Sequence, residues 1–288
     1  VEVVAVRARA AVDTGRQLWP AATLAEFRLA LHGSPEWAAR VLDGDSGRFT
    51  IGPLAEVVAG EIAEYSGQPS VICHHALHCF GAGESRIEAM LPDLVSRERI
   101  PRVGITASKA TISLRVTARA ADRQQCLEQM APTLKTIKEC LGDLVYGENG
   151  EQLQEVVVSM LQKKALRLAI VDLGLRGSVA GLLTEIDREG VSMVGGIQMP
   201  IEQVDRWLGE EQNEVCLEQC AERVRSEFDA DWGLAIGPVE EGEESRFDLV
   251  LQDSEASEHY RFDFAGHSRI RWERAAKQVL NQMRLKLA

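Results

Sequence analysis

An α/β fold is predicted by three features of this sequence. Residues 166–171, LRLAIV, form the nearly unbroken apolar run that a strand covered on both faces requires. Such runs alternate along the chain with segments whose apolar residues recur at helical spacing. Between run and helix at 172–177 lies a glycine-punctuated turn, Asp172-Leu173-Gly174-Leu175-Arg176-Gly177, the kind of connection at which α/β proteins place their chemistry.

The elements divide into three zones, in keeping with 288 residues, a length at which two or three domains are expected. Zone 1–68 opens with VEVVAV, a strand. Two helical stretches follow, LAEFRLALHGSPEWAARVL and PLAEVVAGEIAEY, separated by the polar GDSGRFTIG. Zone 69–148 reads strand, helix, strand, helix: SVICHHALHCF, ESRIEAMLPDLVSR, ATISLRVTARA and ADRQQCLEQMAPTLKTIKECL. Pro92 and Pro132 fall inside the two helical patterns and should kink or interrupt them. Zone 149–288 alternates helix and strand from EQLQEVVVSMLQKK to SRIRWERAAKQVLNQMRLKL, with 166–171 as a central strand. The last two zones are expected to be α/β domains joined near Gly147. The acidic run VEEGEESRFD at 239–248 is expected to be a solvated loop.

Composition narrows the function. The chain is 45% hydrophobic and 26% charged, ordinary for a globular protein, and a cytoplasmic location is expected. No apolar run approaches the ~20 residues that cross a bilayer, so no membrane partner is expected. A net charge of −12 argues against a large nucleic-acid footprint, which would be dominated by lysine and arginine. Six irregularly spaced cysteines suggest reduced thiols.

CHHALHC at 73–79 is the densest group of chemically active side chains. Strand alternation sends Cys73, His75 and Cys79 to one face and His74 and His78 to the other, so a tetrahedral metal site would need ligands from elsewhere. Structural cysteines with surface histidines are favoured, and no metal is expected. Cys216 and Cys220, four apart on a helical stretch, read as core. Asp172 is either a helix cap or turn residue, which is favoured, or a catalytic carboxylate. Arg176 is either an anion ligand at a helix N-terminus or a solvated arginine.

The motifs CFGAGES (79–85) and CLGDLVYG (140–147) resemble the FGxGES and LGDYVFG segments of the KH-like middle domain of the CinA, competence/damage-inducible, family. The resemblance is one of fold, because Gly81–Glu84 reads GAGE and lacks the basic setting of a nucleic-acid clamp. From there to the C-terminus the order of elements resembles the CinA C-terminal domain, which in active relatives is a nicotinamide-mononucleotide amidohydrolase with a serine nucleophile and no required cofactor. Its signature AESCTGG falls on VDLGLRG, residues 171–177. Asp172 then takes the glutamate position and Gly177 the last glycine, while Leu173, Gly174 and Leu175 replace serine, cysteine and threonine. After the Gly195–Gly196 pair, Pro200 falls where relatives carry tyrosine, and Val204 or Asp205 where they carry lysine. Their TGIAGPDGG loop is reduced to AIGPVEEG, keeping Gly237 and Pro238. FAGHSRIRWERAA at 264–276 matches the closing FxGDRxxIRxxAA well. Zone 1–68 resembles a remnant of the family's molybdopterin-binding-like domain, or an unrelated cap.

The resemblance thus implies a KH-like domain at 69–148, an amidase-like domain at 149–288 and a scaffold stripped of its catalytic groups. The expected function is a non-catalytic binding or assembly module. The alternative is an active hydrolase with displaced residues such as Asp172. Ligand-pocket candidates are Asp172, Gly174, Arg176, Gly177, Gly195, Gly196, Gly237 and Pro238, with no catalytic residue and no cofactor. A nucleotide is the implied ligand, and a homodimer through the C-terminal domain the implied assembly. Along the terminal helix Ile270, Trp272, Val279, Leu280 and Met283 form an apolar stripe, most of which should pack on its own sheet. Leu173 is expected to turn inward.

Overall fold

A computed structural model describes residues 70–91, 94, 99–209, 216–242, 245–264 and 271–288. The strand and helices expected within 1–68 lie outside the described residues, as do Pro92 and the 265–270 stretch of the closing motif that holds Ile270.

The first sheet has four strands in the order β2-β3-β1-β4: β1 Val71–Cys79, β2 Arg102–Ser108, β3 Thr111–Ala120 and β4 Val145–Glu148. Helices α1 (Glu84–Met90) and α2 (Arg123–Leu141) complete a β-α-β-β-α-β order. β1 and β3 are the predicted strands. β2 and β4 are additions to the reading: β2 forms an antiparallel hairpin with β3, and β4 pairs antiparallel with β1. α2 buries Cys126, Met130, Thr133, Ile137 and Leu141 at helical spacing. The expected break at Pro132 does not interrupt this helix. Pro132 lies on its exposed face, where the carbonyl that loses its amide partner can be hydrated. Helix α1 ends at Met90.

The second sheet runs β6-β5-β7-β8-β9 and follows helix α3 (Leu153–Lys163). β5 (Leu168–Asp172) pairs in parallel with both β6 (Met193–Gln198) and β7 (Trp232–Ile236), while β8 (Ser245–Gln252) and β9 (Ser257–Phe264) continue antiparallel. Every residue of β5 is buried. Alternation explains this: Leu168 and Ile170 enter the core under α3, α4 (Ser178–Ile186) and α7 (Arg271–Leu287), while Ala169 and Val171 enter the core under α5 (Val204–Leu208) and α6 (Leu217–Glu227). The acidic run is not a loop throughout. Its last four residues begin β8, with Ser245 and Phe247 buried, because the charged side chains of Arg246 and Asp248 alternate outward.

The apolar stripe of α7 is intramolecular core: Ala275, Ala276, Val279, Leu280, Met283 and Leu287 are all buried. The second helix-bearing turn, between α4 and β6, is held by Asp187. This buried carboxylate accepts the amides of Val191 (3.1 Å), Ser192 (2.6 Å) and Met193 (2.7 Å). Burial opposes its ionisation, but these bonds hold it below the usual carboxylate range. The described residues of 72–119 and 123–288 make one compact body. Within it the guanidinium of Arg284 on α7 donates to the carbonyl of Asp143, and Lys277 donates to the Lys109 carbonyl at 2.6 Å. Among the described residues no helix is long and apolar enough to cross a membrane.

Candidate functional site

The turn from β5 into α4 is organised by Asp172. Its side chain follows the parity of Ile170, so it emerges under α4 at the carboxyl end of the sheet, and it is only 2% exposed. Oδ1 accepts the amides of Gly174 (2.9 Å) and Leu175 (2.6 Å), and Oδ2 accepts that of Gly177 (2.7 Å). Burial pushes this carboxyl above its usual range, and the three N–H groups pull it part of the way back. Asp172 is therefore a turn residue, the favoured reading; the N-cap position of α4 itself is Gly177, at φ 73°. Three backbone amides that such a turn can offer to an anion are directed at the protein's own carboxylate.

The two leucines of the turn divide differently from expectation. Leu175 is fully buried in the core beneath α4 and α7, whereas Leu173 is partly buried against the opposite face of the sheet. The residue filling the interior is the one at the threonine position. Ser178, the nearest hydroxyl along the chain, donates to the Leu175 carbonyl at 2.6 Å.

The candidate residues fall into three places. Asp172, Gly177, Gly195 and Gly196 line one cavity of about 240 Å³, with Ala180 and Thr184 of α4 and Gln198 of β6. Gly195 must be bare because a Cβ there would lie 2.0 Å from the Phe228 ring. Gly174 meets Gly237 and Pro238 at the loop after β7, where a Cβ on Gly174 would lie 2.3 Å from the Gly237 carbonyl oxygen. Arg176 stands apart. Exposed, at φ 60°, it places its guanidinium 4.5 Å from the centre of the Trp272 ring, which Arg271 also approaches at 4.8 Å. Thr184 and Gln198 were missed by sequence reasoning. The spacing Gly177, Ala180, Thr184 along one face of α4 is the signal that would have found Thr184.

The lining supplies little chemistry. Among the described lining residues Asp172 alone is ionisable, and the Thr184 hydroxyl already donates to the Ala180 carbonyl at 2.9 Å. A nucleophile beside a base, which acyl transfer needs, is missing from the described lining. Pro200, where the resemblance puts a tyrosine, precedes a short 3-10 turn (Ile201–Gln203), and Val204 and Asp205, the two candidates for the lysine position, follow it, with Val204 buried in the core.

The CHHALHC strand is built as alternation predicts, with Cys79 buried and Cys73 and His75 half-buried on the inner face. Its histidines are fasteners rather than simple surface groups. His75 Nε2 bonds Glu148 at 2.5 Å, and His74 Nδ1 bonds the Thr117 hydroxyl at 2.9 Å. His78 Nε2 accepts the Gly150 amide at 3.0 Å, which puts its proton on Nδ1 facing the Ser113 hydroxyl at 2.9 Å. Among the described residues no three His, Cys, Asp or Glu side chains gather as metal ligands. Cys220 is buried, and Cys216 sits half-buried at the N-cap of α6.

Residues 74–147 match the family model for the damage-inducible protein CinA KH domain. A CinA-like protein of Frankia casuarinae is 33% identical over 155 residues, which cover 53% of this chain and 35% of that relative. A CinA-like protein of Dictyoglomus turgidum is 32% identical over 124 residues, 43% of this chain and 30% of that one. The chain spans about a third of the length of these curated relatives. A solved CinA superfamily protein of Klebsiella pneumoniae is similar at 18% identity and a TM-score of 0.41, over 47% of this chain and 95% of that structure. The CinA KH match lies on the β-α-β-β-α-β sheet, so residues 74–147 resemble a CinA KH domain, and about half of the chain is similar to curated CinA-like proteins at about a third identity.

Proposed function

We propose that this chain carries a KH-like domain at 69–148 and, at 149–288, an amidase-like domain that retains its scaffold as a binding or assembly module and does not catalyse. The observation that carries this reading is the coordination of Asp172. Three turn amides that could stabilise an oxyanion, those of Gly174, Leu175 and Gly177, are bonded to its carboxylate. The serine position holds Leu173, and the threonine position holds Leu175, now part of the core. Catalysis by Asp172 itself is disfavoured for the same reason: a general base must reach a water, and this carboxylate is buried and turned onto its own backbone.

The ligand that suits the cavity is small and neutral. About 240 Å³ is below the usual size of a drug-like site, and no lysine, arginine or histidine among the described lining residues faces a phosphate. The buried stripe of α7 supports an intramolecular role for that helix, so a homodimer would use other surface.

The test is ammonia release from nicotinamide mononucleotide by the purified chain. Background rates are expected for the wild type and for Leu173→Ser, which restores a hydroxyl without a base or a donor. Clear wild-type turnover would overturn the proposal.

A further inference from the structure

We propose that Cys73 and Cys126 are a modification site, closing to a reversible intramolecular disulfide when the protein meets a peroxide. Strand parity turns Cys73 toward the helix-covered face of the first sheet, together with His75, Leu77 and Cys79. On that face Cys126 stands in the first turn of α2, fully buried, its Sγ 3.7 Å from the Ala118 carbonyl oxygen on β3. β3 is the neighbour of β1 in the sheet, so the thiol of Cys126 lies under the strand pair that carries Cys73. The cross-strand bonds His74–Thr117 and His78–Ser113 set Cys73 opposite Ala118, the residue whose carbonyl the Cys126 thiol meets. Two thiols brought to one face by neighbouring elements have the convergence that a disulfide requires.

Access divides the roles. Cys73 is half-buried and can meet a small oxidant, while Cys126 is closed to solvent. The Cys73 thiolate attacks one peroxide oxygen; the O–O bond breaks, hydroxide leaves and takes a proton to become water, and Cys73 becomes a sulfenic acid. Cys126 then attacks that sulfur, the S–O bond breaks, a second water leaves and the S–S bond forms. Two thiols and one hydrogen peroxide thus give one disulfide and two waters, each sulfur losing one electron. Burial and the nearness of Cys126 push the Cys73 thiol up, so oxidation is slow at neutral pH and speeds up as the solution becomes more alkaline. The remaining buried cysteines do not compete: burial drives Cys79 and Cys220 up to about 11, and both are shut from solvent.

The experiment uses the full chain in a Cys140→Ser background, which removes the exposed thiol. After stoichiometric hydrogen peroxide, the expected product is a monomer lighter by two hydrogens. A non-reducing tryptic digest should join the peptide containing Cys73 and Cys79 to the one containing Cys126, and dithiothreitol should reverse the change. Cys73→Ser should abolish the linkage, assigning it to Cys73 rather than Cys79. Because the replaced thiol is half-buried, that variant is expected to fold, as checked by its circular dichroism. A stable sulfinic acid at Cys73, or a linkage that survives Cys73→Ser, would overturn the proposal, as would a Cys73 thiol still alkylatable in the unfolded chain after oxidation.

Discussion

Removing the carboxylate of Asp172 tests whether this side chain holds the β5–α4 turn. Asp172→Ala leaves three amides, those of Gly174, Leu175 and Gly177, without their acceptor at 2.6–2.9 Å. A hydrogen bond to a charged group contributes about 1.5–3 kcal/mol. Here burial of the carboxylate offsets part of that gain, as its raised pKa indicates, so about 1 kcal/mol per bond is the better figure. The expected loss is about 2–4 kcal/mol, or roughly 5–15 °C in Tm for a body of about two hundred ordered residues. Asp172→Asn keeps one acceptor oxygen and turns a donor toward the third amide, so it should fall between wild type and alanine. Urea unfolding at pH 7, with the slope compared between variants, is the assay. A loss below about 1 kcal/mol for Asp172→Ala, at unchanged slope, would refute the assigned role.

Three other outcomes follow from the same geometry. Leu175→Ser should cost about 2–5 kcal/mol and Leu173→Ser distinctly less, because only Leu175 is fully buried; denaturation midpoints decide the order. Gly174→Ala places a methyl group 2.3 Å from the Gly237 carbonyl oxygen, so the loop must shift at about 1–3 kcal/mol, read as a lowered Tm. Burial holds His78 below the usual imidazole value of 6.5, so the fold favours its neutral form. The stability it contributes is complete above about pH 6.5 and is lost as pH falls through the lower folded-state value, so the Tm should drop from pH 7 toward pH 5, and by less in His78→Gln.

The second sheet was legible because its central strand is apolar on both faces: LRLAIV admits one placement, and β5 occupies it. In the first sheet, β2 was not legible. RVGITAS has one buried residue, Val103, and its turn to β3 uses Lys109 and Ala110 at φ 48° and 58°, where an Asn-Gly pair would have announced a hairpin. Pro132 misled because a helical pattern does not reveal which face bears the proline. At the site, spacing identified the turn and its missing nucleophile. It could not show which leucine entered the core, since Leu173 and Leu175 share parity and are separated only by the path of the turn.

Asp172 and Asp187 bracket α4, each gathering three backbone amides at one end of the helix. Loop amides normally exchange with solvent deuterium long before those of the elements they join. Around α4 the connections should match the helix in protection. The amides of Leu175, Ser192 and Met193 are bonded to buried carboxylates, whereas the amides of Ser178 and Gly181 in the first turn of α4 bond the Leu175 and Gly177 carbonyls of the connection. The segment from 172 to 193 is therefore expected to open as one unit, with the protons of its two connections exchanging as slowly as those of the helix between them.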